Sequence, residues 1–212
     1  MKQALTVKNV MKKNREIFAF KDDWLKSFGM PERSGSWLIW GESGSGKTSF
    51  AMQLVKYLAQ FPEIYRVAYN SLEEGNSQSI KMAIERVGMI DVADKFWLLD
   101  MEPIEELKVR IQRKRSPQVL VIESVQYMGL KYPEYVKLRS EFPDKLFIFI
   151  SHADGRNPQG RTAKAIRFDA FVKIRIEGYA AFVVSRYRDG RDKPFVIWPE
   201  GAELYHGQTI LI

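Results

Sequence analysis

An α/β fold with a mostly parallel central sheet, helices on its faces and antiparallel strands at its C-terminal end is what the 212-residue sequence predicts. Three observations carry that expectation. Short continuous apolar runs, suited to strands buried on both faces, alternate with segments of helical periodicity. A glycine-rich element, Gly41-Glu-Ser-Gly-Ser-Gly-Lys-Thr48, stands between such a run and such a segment. After Ser151 the pattern changes, and the last apolar runs follow one another with no helix between them.

The elements follow in order. Trp37-Leu-Ile-Trp40 is an apolar run ending at Gly41, and Phe50, Ala51, Leu54, Val55 and Leu58 then recur at helical intervals from Lys47 to Leu58. Arg66 to Tyr69 reads as a strand leading into Ser71-Leu-Glu-Glu-Gly75. Gln78 to Val87 is predicted helical, and Phe96 to Leu99 extended. Pro103 sits in the first turn of a helix that runs to about Arg115. Gln118 to Ile122 and Lys145 to Ile150 are further continuous apolar strands. Ala153 to Lys164 is polar, contains Gly155, Asn157, Pro158 and Gly160, and reads as a mobile loop. Phe171 to Ile176, Ala181 to Ser185 and Phe195 to Trp198 are expected to finish the sheet as antiparallel strands. There is no internal repeat. The economical division is an N-terminal arm, residues 1–20, followed by one domain, residues 21–212.

Composition narrows the function classes. Apolar residues make up 45% of the chain, enough for a substantial core. Every apolar run is interrupted by charge well short of the roughly 20 residues that cross a bilayer. Met1 to Arg15 is basic but lacks an apolar block, so it does not read as a signal peptide, and a cytoplasmic protein is expected. With no cysteine, disulfides, thiolate metal sites and cysteine nucleophiles are excluded; two histidines make a histidine-rich metal site a poor reading. The net charge is +7, and Ala153 to Lys193 holds ten Lys/Arg against five Asp/Glu. Lys108, Arg110, Arg113, Lys114 and Arg115 form a second basic group. Such concentration suits nucleic acid; the alternative is an ordinary solvated face.

The strongest motif is Gly41 to Thr48, which fills every fixed position of G-x-x-x-x-G-K-[ST] between a strand and a helix. Gly41, Gly44 and Gly46 let the backbone curl so that successive N–H groups, those of Glu42, Ser43 and Ser45 among them, face phosphate oxygens. The helix start, with Lys47, Thr48 and Ser49, adds its positive dipole end. Lys47 is expected to reach the β- and γ-phosphates, and Thr48 to ligate Mg²⁺. Val119-Leu-Val-Ile-Glu-Ser124 ends a buried strand on Glu123, a second Mg²⁺ element acting directly or through water. A surface glutamate beyond a core strand is the alternative. Glu73 and Glu74 are candidates for the residue that activates water, with Glu74 slightly favoured and only one of the two expected to face the nucleotide.

These parts, in this order, resemble the RecA-type ATPase core of RecA/RadA recombinases and DnaB-type helicases. Ser71-Leu-Glu-Glu-Gly75 matches the position of the family's catalytic glutamate, and Val121-Ile-Glu-Ser-Val-Gln126 resembles a RadA-like acidic-Ser-Ile-Gln strand end. Ile150-Ser-His152 stands where the family has Ser-Gln, so the resemblance implies that His152 senses the γ-phosphate. Ala153 to Lys164 falls where the DNA-binding loop lies, which nominates Arg156, Arg161 and Lys164. Arg186-Tyr-Arg-Asp-Gly190 resembles a Lys-Asn-Arg-Phe/Asn-Gly signature whose cations reach a neighbouring subunit; Arg188 is the favoured finger and Arg186 its companion. Glu123 in place of Asp and His152 in place of Gln are departures.

What the resemblance implies is an ATPase using ATP and Mg²⁺, assembled as a hexameric ring or a filament, with single-stranded DNA as partner in recombination, annealing or repair. It is similar in extent to small phage-encoded RecA-core proteins. A DnaB-like helicase core and a nucleotide-dependent switch or loader acting on another protein are the alternatives. Phe18 and Phe20 are candidates for an arm that docks on the next subunit, or for the domain's own core.

Overall fold

Alternate residues of a strand point to opposite faces of a sheet, and the first apolar run uses both. Trp37 and Ile39 enter one apolar cluster, Leu38 and Trp40 another. The computed structural model describes residues 4–188, 193–207 and 210. Its strands are β1 (Gly35–Gly41), β2 (Val67–Ser71), β3 (Phe96–Asp100), β4 (Val119–Glu123), β5 (Leu146–Asp154), β6 (Asn157–Pro158), β7 (Val172–Glu177), β8 (Ala180–Ser185) and β9 (Phe195–Val196). Its helices are α1 (Val7–Lys12), α2 (Asp22–Phe28), α3 (Lys47–Ala59), α4 (Gln78–Val87), α5 (Ile104–Gln112), α6 (Val125–Met128), α7 (Tyr132–Glu141), α8 (Arg161–Asp169) and α9 (Pro199–His206), with a 3₁₀ stretch at Met89–Lys95.

The strands lie in the order β3-β2-β4-β5-β1-β7-β8-β9, with β6 paired to β5. β1 is parallel to both neighbours, β5 and β7, and β2, β3, β4 and β5 are parallel among themselves. Only β8 and β9 continue the sheet antiparallel. The same two-face alternation recurs in β5, where Leu146, Ile148 and Ile150 pack beside α3 and α4, and Phe147 and Phe149 pack with Tyr135 and Leu138 of α7. α4 starts on Ser77, whose hydroxyl accepts from the Ile80 N–H at 3.4 Å, and stops on Gly88 at φ +68°.

Three expectations are corrected. Ala153 to Lys164 is not a loop: β5 runs on to Asp154, turns at Gly155 and Arg156, returns as β6, and Arg161 opens α8. Ala163 and Ile166, spaced for one helix face, are buried against the sheet and hold α8 in place. Because α8 supplies a crossover, β7 is parallel to β1 rather than antiparallel. The arm also ends sooner than residue 20. Phe18 and Phe20 are core residues, and the Phe18 N–H donates to the Pro31 carbonyl at 2.8 Å. Their rings pack on Phe61, Trp37 and Tyr57, so neither is presented for docking. α1, by contrast, buries none of its residues. Asp189 and Gly190 lie outside the described residues.

Candidate functional site

Register decides what meets at the C-terminal edge of the parallel strands, where ligands of open α/β sheets bind. Gly41 pairs with His152, Ser71 with Glu123, and Glu123 with Ile150. The ends of β1, β2, β4 and β5 therefore deliver the phosphate loop, the Glu73–Glu74 turn, Glu123 and His152 to one place. A cavity of about 600 Å³ opens there, bordered by residues 42–44 and 46–49, Glu73, Glu74, Glu123 and His152.

The loop has the shape the motif requires. Gly46 sits at φ +100° directly before α3, and a Cβ on Gly41 would lie 2.4 Å from the Ile176 carbonyl oxygen. Lys47 at the helix start donates to the Glu42 carbonyl at 2.7 Å. Burial lowers its pKa, opposed by the nearby charges of Glu123, Glu73 and Glu42. Thr48 Oγ1 donates to Glu123 Oε1 at 3.1 Å. Glu123 is 5% exposed and its Oε2 has no hydrogen-bond partner among the described residues. Burial, above all, pushes the Glu123 carboxyl up, opposed by the neighbouring Tyr69 and Thr48 hydroxyls. An orphaned buried carboxylate oxygen beside a threonine hydroxyl fits a hard cation that takes oxygen ligands. No group of three or more His, Cys, Asp or Glu is placed to hold a metal among the described residues, so a cation here would rest on Thr48, Glu123, phosphate oxygens and water.

Glu73 and Glu74 both border the cavity, against the expectation that only one could. They sit in a turn rather than a strand, so alternation does not separate them. They are held differently. Glu73 Oε2 lies 2.9 Å from His152 Nε2; a carboxylate only accepts, so the ring nitrogen donates. Glu74 Oε2 accepts from the Ser79 hydroxyl, and from Ser77 at 3.5 Å, at the start of α4. Gln126 donates to Ser151 Oγ at 2.9 Å and to the Gln159 carbonyl at 2.8 Å, tying down the strand end that carries His152.

Arg86 and Tyr179, which sequence reasoning missed, also border the cavity. Arg86 donates to Ser49 Oγ at 3.1 Å, and the Tyr179 N–H donates to the Ser45 carbonyl at 3.2 Å. Only the Glu-Gly-Tyr turn between two strands hinted at Tyr179; Arg86 follows from the packing of α4 on α3. Ser45 itself turns its hydroxyl into the loop interior, where it has no partner among the described residues.

The remaining candidates lie elsewhere. Arg156 and Arg161 are exposed on the β5–β6 hairpin and α8, and Lys164 lies 3.5 Å from Asp154. Arg167 joins them, bonded to Asn157 Oδ1 at 2.6 Å and stacked over Trp40, and Phe168 beside it is 78% exposed. Arg186 and Arg188 follow β8, whose Ser185 pairs with Val172 and through it with Trp37 at the start of β1. They are thus at the opposite edge of the sheet from Lys47. Arg186 is exposed over the Phe171 ring, while Arg188 donates to the Lys26 and Ser27 carbonyls at 3.3 and 3.0 Å.

No family model matches the sequence, and no curated protein does. Solved structures do match. A KaiC-like protein from the hyperthermophilic archaeon Pyrococcus horikoshii superposes with a TM-score of 0.64 at 19% identity, over 88% of this chain and 97% of that one. The flagellar accessory protein FlaH from Methanocaldococcus jannaschii superposes with a TM-score of 0.59 at 16% identity, over 86% of this chain and 95% of that one. Likeness at this identity is likeness of fold, and the fold is the RecA-like phosphate-loop α/β architecture.

Proposed function

We propose that this chain is a Mg²⁺-dependent ATP hydrolase that works as an assembly on single-stranded DNA. The observation that carries the first half is the convergence of Lys47, Thr48, Glu123 and Glu73 on one cavity. Thr48 Oγ1 and Glu123 would hold Mg²⁺, which supplies charge neutralisation on the β- and γ-phosphates. Lys47 exchanges the Glu42 carbonyl for phosphate oxygens. Glu73 is the better-placed base than Glu74, because it faces His152 across the cavity while Glu74 is held by two serine hydroxyls. A water oxygen attacks the γ-phosphorus, its proton passes to a Glu73 carboxylate oxygen, and the bond to the β–γ bridging oxygen breaks. His152 keeps the carboxylate oriented and carries an N–H that a γ-phosphate oxygen can accept.

The second half rests on two surfaces. Arg156, Arg161 and Arg167 with the exposed Phe168 combine phosphate-binding cations with a stacking face. Arg186 lies too far round the sheet to serve its own site, and its side chain makes no hydrogen bond among the described residues while that of Arg188 holds two carbonyls, so Arg186 is the cation we assign to a neighbour's γ-phosphate. The test is the ATPase rate with single-stranded DNA, duplex DNA and RNA at two salt concentrations. A several-fold rise with single-stranded DNA that falls steeply with salt is expected. No response to any nucleic acid moves the reading to a switch or loader with a protein partner, and strand displacement from a forked duplex moves it to a helicase core.

A further inference from the structure

A second cavity, of about 890 Å³, adjoins the phosphate cavity, and Ser49, Arg86 and Tyr179 border both. It is the larger and more apolar of the two, bordered also by Tyr57, Phe195 and Trp198. The space between Arg86 and Tyr179 connects the two, and the second cavity is large enough for the sugar and base of a nucleotide held by Lys47 and Thr48. An arginine fork and a phenol ring are suited to the faces of a base but do not tell one base from another.

Discrimination needs a fixed donor or acceptor on the base edge, and one is built in. Gln53 follows Ser49 by four residues on α3, one helical turn deeper on the same face. Its Nε2 donates to the Ile197 carbonyl at 3.1 Å. The Ile197 N–H donates to the Tyr179 carbonyl at 2.9 Å, and the Tyr179 N–H to the Ser45 carbonyl at 3.2 Å. A continuous chain of hydrogen bonds thus runs from the phosphate loop to the Gln53 amide and sets which way that amide faces. The nitrogen is turned to Ile197. Oε1 receives no donor among the described residues and is not sealed from the cavity. Of the two cations among the described residues that border this cavity, Lys56 is held by Asp91 at 2.6 Å and by the Val87 carbonyl at 3.0 Å, and Arg86 is bonded to Ser49 Oγ at 3.1 Å.

We infer that Gln53 selects the base, its Oε1 accepting from the exocyclic amine of a 6-aminopurine and opposing the 6-oxo group of guanine or hypoxanthine. This rests on the nucleotide-binding reading above and adds to it the reason for ATP over GTP. An acceptor facing another acceptor leaves both without a partner, which discriminates more strongly than a lost contact.

The experiment is equilibrium binding of ATP, GTP, ITP and purine riboside triphosphate, which lacks the 6-amino group, to the full chain in Mg²⁺, with Gln53→Met alongside. Wild type is expected to bind ATP about tenfold more tightly than purine riboside triphosphate, and to bind GTP and ITP more weakly still. Q53M, similar in length and helix propensity, is expected to bring the four affinities together while keeping triphosphate binding. Equal affinities for all four in wild type, or an unchanged ATP preference in Q53M, would overturn the assignment of Gln53 and leave the phosphate site standing. Failure of wild type to bind any of the four triphosphates would overturn the nucleotide reading and this inference with it.

Discussion

The two edges of the sheet are built on opposite terms. At the C-terminal edge, four parallel strands end within one cavity, and their ends and the segments that follow them carry a lysine, a threonine, four glutamates and a histidine. At the other edge the functional candidates follow an antiparallel strand and are two arginines: one lies on Phe171 and the other caps α2. On the function proposed above, the first edge supplies the parts that bind and cleave a triphosphate. The second carries cations that lie far from the phosphate loop of their own chain. A division of this kind is what an active site shared between subunits requires, and it can be broken experimentally.

The largest effect is expected from Arg186→Ala, which should lower ATP turnover about 10³-fold or more while sparing ATP binding. Mixed with Lys47→Ala, itself unable to bind the triphosphate, it should recover activity, because each protein supplies the edge the other lacks. A mixture as inactive as its parts would return Arg186 to a structural role. Next is Glu73→Gln, expected to cut kcat roughly 10²- to 10⁴-fold, with Glu74→Gln close to wild type in single-turnover assays. The reverse ranking would shift the base to Glu74 and leave His152 without a catalytic partner.

Smaller effects sharpen the difference between the two arginines. Arg188→Ala removes a cation from the C-terminal carbonyls of α2 and is expected to cost about 1 kcal/mol in denaturant unfolding, whereas Arg186→Ala should leave stability near wild type. Between them, burial first and the Glu32 charge second push the Tyr187 phenol from 10.0 to about 12. The neutral form is the one the fold favours. Its contribution is complete below pH 10 and is lost as pH rises from 10 toward 12, where the unfolded chain ionises first. Tyr187→Phe should therefore make the fall in thermal stability above pH 10 shallower; an identical fall in both proteins would place the phenol in solvent.

Legibility differed along the chain for physical reasons. β1, α3, β2 and β4 could be read because a strand buried on both faces must be apolar throughout, and a helix packed on it must repeat its apolar residues at 3.6. The hairpin and α8 could not, because only Ala163 and Ile166 of α8 are buried and its one large aromatic, Phe168, is exposed among charged residues. Missing α8 removed a crossover, which reversed the expected direction of β7. Phe18 and Phe20 carried no local sign of whether they face their own core or another subunit; the rings of Trp37, Tyr57 and Phe61 settle that.

By itself, the sequence determined that a phosphate loop stands between a buried strand and a helix, since glycine spacing and apolar periodicity are local properties of the chain. Tertiary structure alone decided the rest of the site. Strand register put Glu123 against Thr48 and His152 against Glu73, across sequence separations of 75 and 79 residues. Hairpin packing turned the Gln53 amide, and antiparallel pairing carried Arg186 to the far edge. Contacts of that kind depend on which strands are neighbours, and no local spacing encodes them.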